Sequence, residues 1–249
     1  MKKFFGLFLV CGLVFLTSCQ TTREISINEK GGGSLVTTND MSSLIGFLQM
    51  AGKEMDPDEK SVDTTINLDK MVDSLPELNA EEKALVGKGR LGLQVDFKKK
   101  KMLTRLEFPF DNSSQIKRLD EISSRVMRQV MSKQADGGEN AASMPQGEML
   151  ESSIDDYFTM KYDKGVIERK HIPEKYAKVG EDEGLQSLKE ATASGMPMTN
   201  TLIINLPRPA KKVEGKNVKL SEDKKQVTIA TTLEDFFDDV SKMDFRIEY

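Results

Sequence analysis

The chain contains no tryptophan, one histidine and two cysteines among its 249 residues. Each scarcity removes a class of chemistry. A histidine-rich zinc site, or a Ser-His-Asp triad, has only His171 to pass through. His171 stands between Lys170 and Ile172-Pro173 and reads as an exposed polar residue at a strand end. With no tryptophan and four tyrosines, a sugar-stacking cleft around paired carboxylates has little to be built from. Asp56, Asp58 and Glu59 lack the spacing of a calcium loop. Gly31-Gly32-Gly33 joins two strands and has no lysine and hydroxyl after it, so it is not a phosphate loop. Glu234 and Asp238 fall four apart and read as a solvated helix face. Met196-Pro197-Met198 offers two thioethers to copper(I), but reads as a loop with apolar anchors. The expectation is a protein without catalytic residues, metal ligands or cofactor.

What is present begins at the N-terminus. Met1-Lys2-Lys3 is followed by an apolar run from Phe4 to Leu16 and then by Thr17-Ser18-Cys19. A basic start, a short apolar stretch and small residues before a cut site make an export signal. The thirteen residues of the run span roughly 20 Å as a helix, short of the ~30 Å hydrocarbon core of a bilayer. Leu16-Thr17-Ser18-Cys19 looks like a lipobox, which implies diacylglycerol on the Cys19 thiol and cleavage just before it. Cys11 leaves with the signal, so the mature chain keeps Cys19 alone and has no internal disulfide. Two or more acyl chains hold firmly, at about 0.8 kcal/mol per buried methylene. Gln20-Thr21-Thr22-Arg23 carries no acidic residue after the cysteine. By analogy with known sorting signals, that points to the outer membrane, facing the periplasm.

Loss of Lys2 and Lys3 moves the net charge from −4 to −6. A mildly acidic chain of mixed charges argues against nucleic acid as a partner. Fourteen methionines are many; they fill irregular cores, and they also line adaptable apolar grooves.

Along the chain, strands and helices alternate. Ile25 and Ile27 share a face, Gly31–Gly33 turn, and Ser34–Thr38 return. A helix is predicted from about Ser42 to Met55, a loop from Asp56 to Thr64 and a short edge strand over 65–68. Asn79-Ala80-Glu81-Glu82 has capping-box spacing and starts a helix ending near Gly87. Leu91, Leu93, Val95 and Phe97 alternate, Lys98–Lys101 turn, and Met102–Phe108 return. The lysine run reads as a solvated hairpin tip; anionic lipid headgroups are the other partner that suits it. A longer helix follows with Ile116, Leu119, Ile122, Val126 and Val130 on one side. After a Gly-, Ala-, Ser- and Met-rich stretch come a third hairpin (Tyr157–Tyr162 with Val166–Arg169) and helical pieces near 173–179 and 183–192. Then follow a strand over Thr201–Leu206, a fourth hairpin (Val218–Leu220 with Val227–Ile229), a helix capped by Thr232 and a closing strand from Met243 to Tyr249.

The pattern predicts an α+β protein: an antiparallel sheet built from about four β-hairpins, each followed by a helix packing on one face. Residues 1–18 are expected to form a lipoprotein signal peptide. Residues 19–133 and 153–249 form two α+β subdomains, joined by a linker or loop over 134–152.

Two segments carry a resemblance. One is Ile204-Asn205-Leu206-Pro207, then Val213–Val218, then Leu220–Val227; the other is the first hairpin around Gly31–Gly33. Both resemble the LppM-like group of bacterial lipoproteins and uncharacterised lipoproteins of Bacteroidota, although Ile229-Ala230 stands where members of the group often carry an aromatic. The resemblance implies an envelope lipoprotein with an α+β body and lipid binding, and it supplies no catalytic residue. The expected function is therefore a non-enzymatic, membrane-anchored envelope lipoprotein with a binding or structural role, its partner a protein. The alternative is a binder of lipid or another apolar ligand in a groove between sheet and helices, lined by methionines of Met41–Met55 and Met127–Met131.

Overall fold

The computed structural model describes residues 19–43, 45, 61–75, 78–135, 154–163, 165–193 and 198–249. The predicted signal peptide, most of the helix predicted after Ser42, and nearly all of the linker predicted over 134–152 lie outside them.

Twelve strands form two sheets among the described residues. In chain order they are β1 (Cys19–Ile27), β2 (Gly33–Asp40), β3 (Val62–Asn67), β4 (Arg90–Asp96), β5 (Lys101–Phe110) and β6 (Phe158–Asp163). The remaining six are β7 (Val166–His171), β8 (Met198–Asn205), β9 (Lys212–Gly215), β10 (Val218–Leu220), β11 (Gln226–Thr232) and β12 (Phe245–Glu248). The large sheet has the order β10-β11-β8-β1-β2-β5-β4-β3, and the small one β6-β7-β12-β9. Among the described residues five α-helices accompany them: α1 (Ala80–Val86), α2 (Gln115–Ala135), α3 (Pro173–Tyr176), α4 (Glu183–Ala193) and α5 (Leu233–Asp238).

This overturns the expected architecture of one antiparallel sheet with a helix after each hairpin. The protein is mostly β, the large sheet is mixed, and the third hairpin belongs to a different sheet. The cause is non-local. β1 pairs in parallel with β8, from Cys19 opposite Met198 to Ser26 opposite Asn205, and no local pattern announces a partner so distant in sequence. Strands from 19–133 and from 153–249 thus share one sheet, which runs across the expected subdomain division. Val62–Thr64 lie in β3, where a loop was expected.

Local chemistry shapes the elements. Gly31 takes φ +87°, the left-handed region that a glycine reaches freely. At Gly33 a Cβ would lie 1.7 Å from the Ser26 carbonyl oxygen, so only glycine lets β1 and β2 approach here. α1 starts with a complete capping box between Asn79 and Glu82, and α5 with another between Thr232 and Asp235.

The main core lies on one face of the large sheet. Ile25, Leu35, Phe108, Ile204 and Val227 meet Ile116, Leu119 and Ile122 of α2 there, along with Ile167 and Ile247 of the small sheet. A second apolar cluster gathers Tyr157, Phe158, Leu185, Leu233, Phe236, Val240 and Met243.

Candidate functional site

Strand alternation puts Ile27, Ile25, Arg23, Thr21 and Cys19 on the same face of β1. Read in that order they pass from the dry core, through a cluster of buried charges, to a pocket at the Cys19 end of the sheet.

The charge cluster joins both sheets and α2. Arg23 donates to Asp120 of α2 at 3.0 Å and to Asp155, in the 3-10 turn Ile154–Tyr157, at 3.2 Å. Arg169 of β7 donates to the other Asp155 oxygen at 3.1 Å and stacks over the Phe158 ring at 3.9 Å. Burial pushes the Asp120 carboxyl up to about 6, against the opposing pull of Arg23. Burial also acts to raise Asp155, but the Arg23 and Arg169 guanidiniums outweigh it and hold that carboxyl below its usual range. Burial raises the Tyr162 hydroxyl as well. Among the described residues, Arg23 Nε, Asp120 Oδ1, Tyr162 Oη and Arg169 Nε have no hydrogen-bond partner. Unpaired buried polar atoms cost stability, so the cluster holds the layers in register at an energetic penalty. The sequence carries one overlooked sign of it: Arg23 stands in the inward register of Ile25 and Ile27.

The next row of the sheet is polar across five adjoining strands. Thr231, Asn200, Thr21, Asn39 and Thr104 stand side by side in register. Thr21 donates to the Asn39 side-chain oxygen at 3.0 Å, and Asn39 donates to Thr104 Oγ1 at 3.3 Å. Beyond this row opens a pocket of about 180 Å³. Its floor is Cys19, Thr21, Met198, Thr199, Asn200 and Thr231. Its walls are Ile154, Leu188, Leu233 and Met243. The sheet contributes the polar groups together with Met198, while the helices and turns contribute apolar ones only, the composition of a small-ligand site. A cavity of about 150 Å³ takes a benzene-sized molecule. This one has room for a group of about that size and not for a whole lipid.

Cys19 opens β1 and lines the pocket, its Sγ 3.6 Å from Ser43 Oγ. The pocket lies between sheet and helices, and the methionines that line it are Met198 and Met243. Of the methionines expected there, Met50, Met55 and the side chains of Met127 and Met131 lie outside the described residues. So do Asp56, Asp58, Glu59, Met196 and Pro197. His171 is partly buried, where an exposed residue was expected. Its Nδ1–H donates to Asp244 Oδ2 at 2.7 Å and its backbone N–H donates to Oδ1 at 2.8 Å, which clamps β7 to the start of β12. Asp238 is exposed on α5, as is Glu234. Among the described residues, no three His, Cys, Asp or Glu side chains converge as a metal site.

No family model, no curated protein and no solved structure matches the chain.

Proposed function

We propose that this chain is a non-enzymatic envelope lipoprotein, anchored by acyl chains on Cys19 to the periplasmic side of a bacterial outer membrane. Its body takes a short apolar group into the pocket beside the anchor. The observation that carries the reading is the double place of Cys19, which begins the central strand β1 and lines the pocket. An anchor there holds the pocket mouth at the lipid surface with no chain between them. The apolar walls suit an acyl terminus, and the Thr21–Asn200 floor suits a polar group next to it.

The test is native mass spectrometry of the protein purified without detergent, joined to displacement of a fluorescent fatty acid. A bound apolar mass and displacement that Leu188→Trp abolishes are the expected results. A bare mass with no displacement removes the ligand-binding role.

A protein partner is the second reading, and β3 favours it. Five of its six residues are exposed, with Val62 40% accessible, and among the described residues it pairs on one side only. Such an edge accepts an added strand from a partner.

A further inference from the structure

The register of the large sheet fixes what else lies at the Cys19 end. Gln20 stands opposite Asp40, Asp40 opposite Leu103, and Asp96 opposite Lys101. The β4–β5 hairpin tip therefore points the same way as the start of β1. Met102 lies near the level of Cys19, and Lys101 lies about one residue, ~3.3 Å, beyond it. The turn with Lys98, Lys99 and Lys100 projects further still, and all three are exposed. With β2 between β1 and β5, the tip stands about 10–14 Å to one side of Cys19.

Resting on the proposed anchor, we infer that the hairpin tip Lys98–Lys101 is a second membrane contact, made with anionic lipid headgroups, and that it sets how the body stands on the bilayer. A residue anchored at the first position of a sheet strand has no spacer to swing on. The sheet end itself meets the headgroup layer, and a lysine cluster within ~10 Å of an anionic surface is attracted to it. Among the described residues on the hairpin's side of Cys19, the acidic side chains at this end are engaged in holding the fold, Asp63 by accepting from Gln94 at 2.9 Å. Asp96 accepts the Lys99 backbone N–H at 2.9 Å and pairs with its ammonium at 3.1 Å. Asp40 accepts the Ser42 N–H at 2.9 Å. On the other side of Cys19, α5 carries exposed Glu234 and Asp238, while Asp235 pairs with Lys242 and Asp239 with Lys216. The two sides of the anchor thus differ in sign. An anionic surface draws the hairpin down and repels α5, tilting the body about Cys19.

The test is lysine acetylation read by mass spectrometry on the lipidated full mature chain. The chain is reconstituted in phosphatidylcholine vesicles with and without phosphatidylglycerol. With phosphatidylglycerol, modification of Lys98, Lys99 and Lys100 is expected to fall about threefold or more. Lys30 and Lys224 at the far end of the sheet, and Lys189 on the acidic side, are expected to keep their reactivity. In a Lys98→Gln, Lys100→Gln variant, the remaining Lys99 is expected to lose most of that protection. Equal reactivity in both vesicles, or equal protection of all lysines, overturns the hairpin contact while the anchor stands. A mature chain whose mass shows no lipid on Cys19 overturns the anchor and the contact with it.

Discussion

Arg23 of β1 holds Asp120 of α2 at 3.0 Å across a nearly buried contact, with side-chain exposures of 17% and 13%. The bond ties the long helix to the central strand of the sheet. Around it, Asp155 and Arg169 extend the same network to the small sheet. The layers are thus joined by charge at the point where the apolar core gives way to the pocket.

That position makes stability depend on pH through Asp120. Its carboxyl is raised by burial to about 6 in the folded state, above the ordinary value it takes when unfolded. Between about pH 4 and 6 the folded state then binds the proton more tightly, so this contribution is present at low pH and lost as pH rises through about 6. Asp155, held low, acts in the opposite sense, so the two are separated by substitution. Asp120→Asn removes the raised carboxyl and leaves Arg23 to Asp155, which keeps its opposite pH dependence. Urea unfolding of both proteins is expected to show wild type gaining stability relative to the variant as pH falls from 7 to 4.5. A difference that stays constant over that range means Asp120 titrates normally.

Gly31 and Gly33 are expected to respond differently to alanine. Gly31 has open space around it and only its φ of +87° to resist a side chain, so Gly31→Ala costs about 1–2 kcal/mol. At Gly33 the new methyl meets the Ser26 carbonyl oxygen at 1.7 Å and the Phe110 ring at 2.8 Å, so β1 and β2 must part. Thermal melts are expected to place Gly33→Ala well below Gly31→Ala; the reverse order contradicts the close approach of the two strands.

Much of the local structure was legible. The alternation of Leu91, Leu93 and Val95 is β4, the helical spacing of Ile116, Leu119, Ile122 and Val126 is the buried side of α2, and Asn79 and Thr232 cap where their spacing says. Periodicity reports which face of an element is apolar, and it does so within one element. It says nothing of which strand lies beside which. The parallel partnership of β1 with β8 depends on matching apolar faces about 180 residues apart, so the mixed sheet was not legible. The short strand β9 has too few residues to alternate visibly, and the small sheet went unseen with it. The charge cluster was missed for a similar reason: Arg23, Asp120, Asp155 and Arg169 are ordinary polar residues until four distant elements bring them together.

For the anchor, Cys19→Ser is expected to abolish incorporation of labelled palmitate and to leave the precursor uncut by the lipoprotein peptidase. Serine replaces a thiol that contacts Ser43 Oγ at 3.6 Å, a weak contact in a half-buried position. The stability of the body is therefore expected to change by less than about 0.5 kcal/mol. Palmitate retained in the Ser variant contradicts the anchor outright.

Phe236 connects stability to the pocket. It is fully buried, with Tyr157 and Tyr176 edge-on to its ring at 5.5 Å and Phe237 at 5.1 Å. The same cluster contains Leu233 and Met243, and both line the pocket. Phe236→Ala removes a ring from a close-packed site and is expected to cost about 3–5 kcal/mol, most of it from the cavity left behind. Phe236→Leu keeps most of the volume but loses the edge-to-face contacts, and is expected to cost less, about 1–2 kcal/mol. If the pocket walls depend on this cluster, fatty-acid displacement weakens in the order wild type, Leu, Ala, following the unfolding free energies. Unchanged displacement in a destabilised Phe236→Ala protein would show that the apolar ligand sits elsewhere.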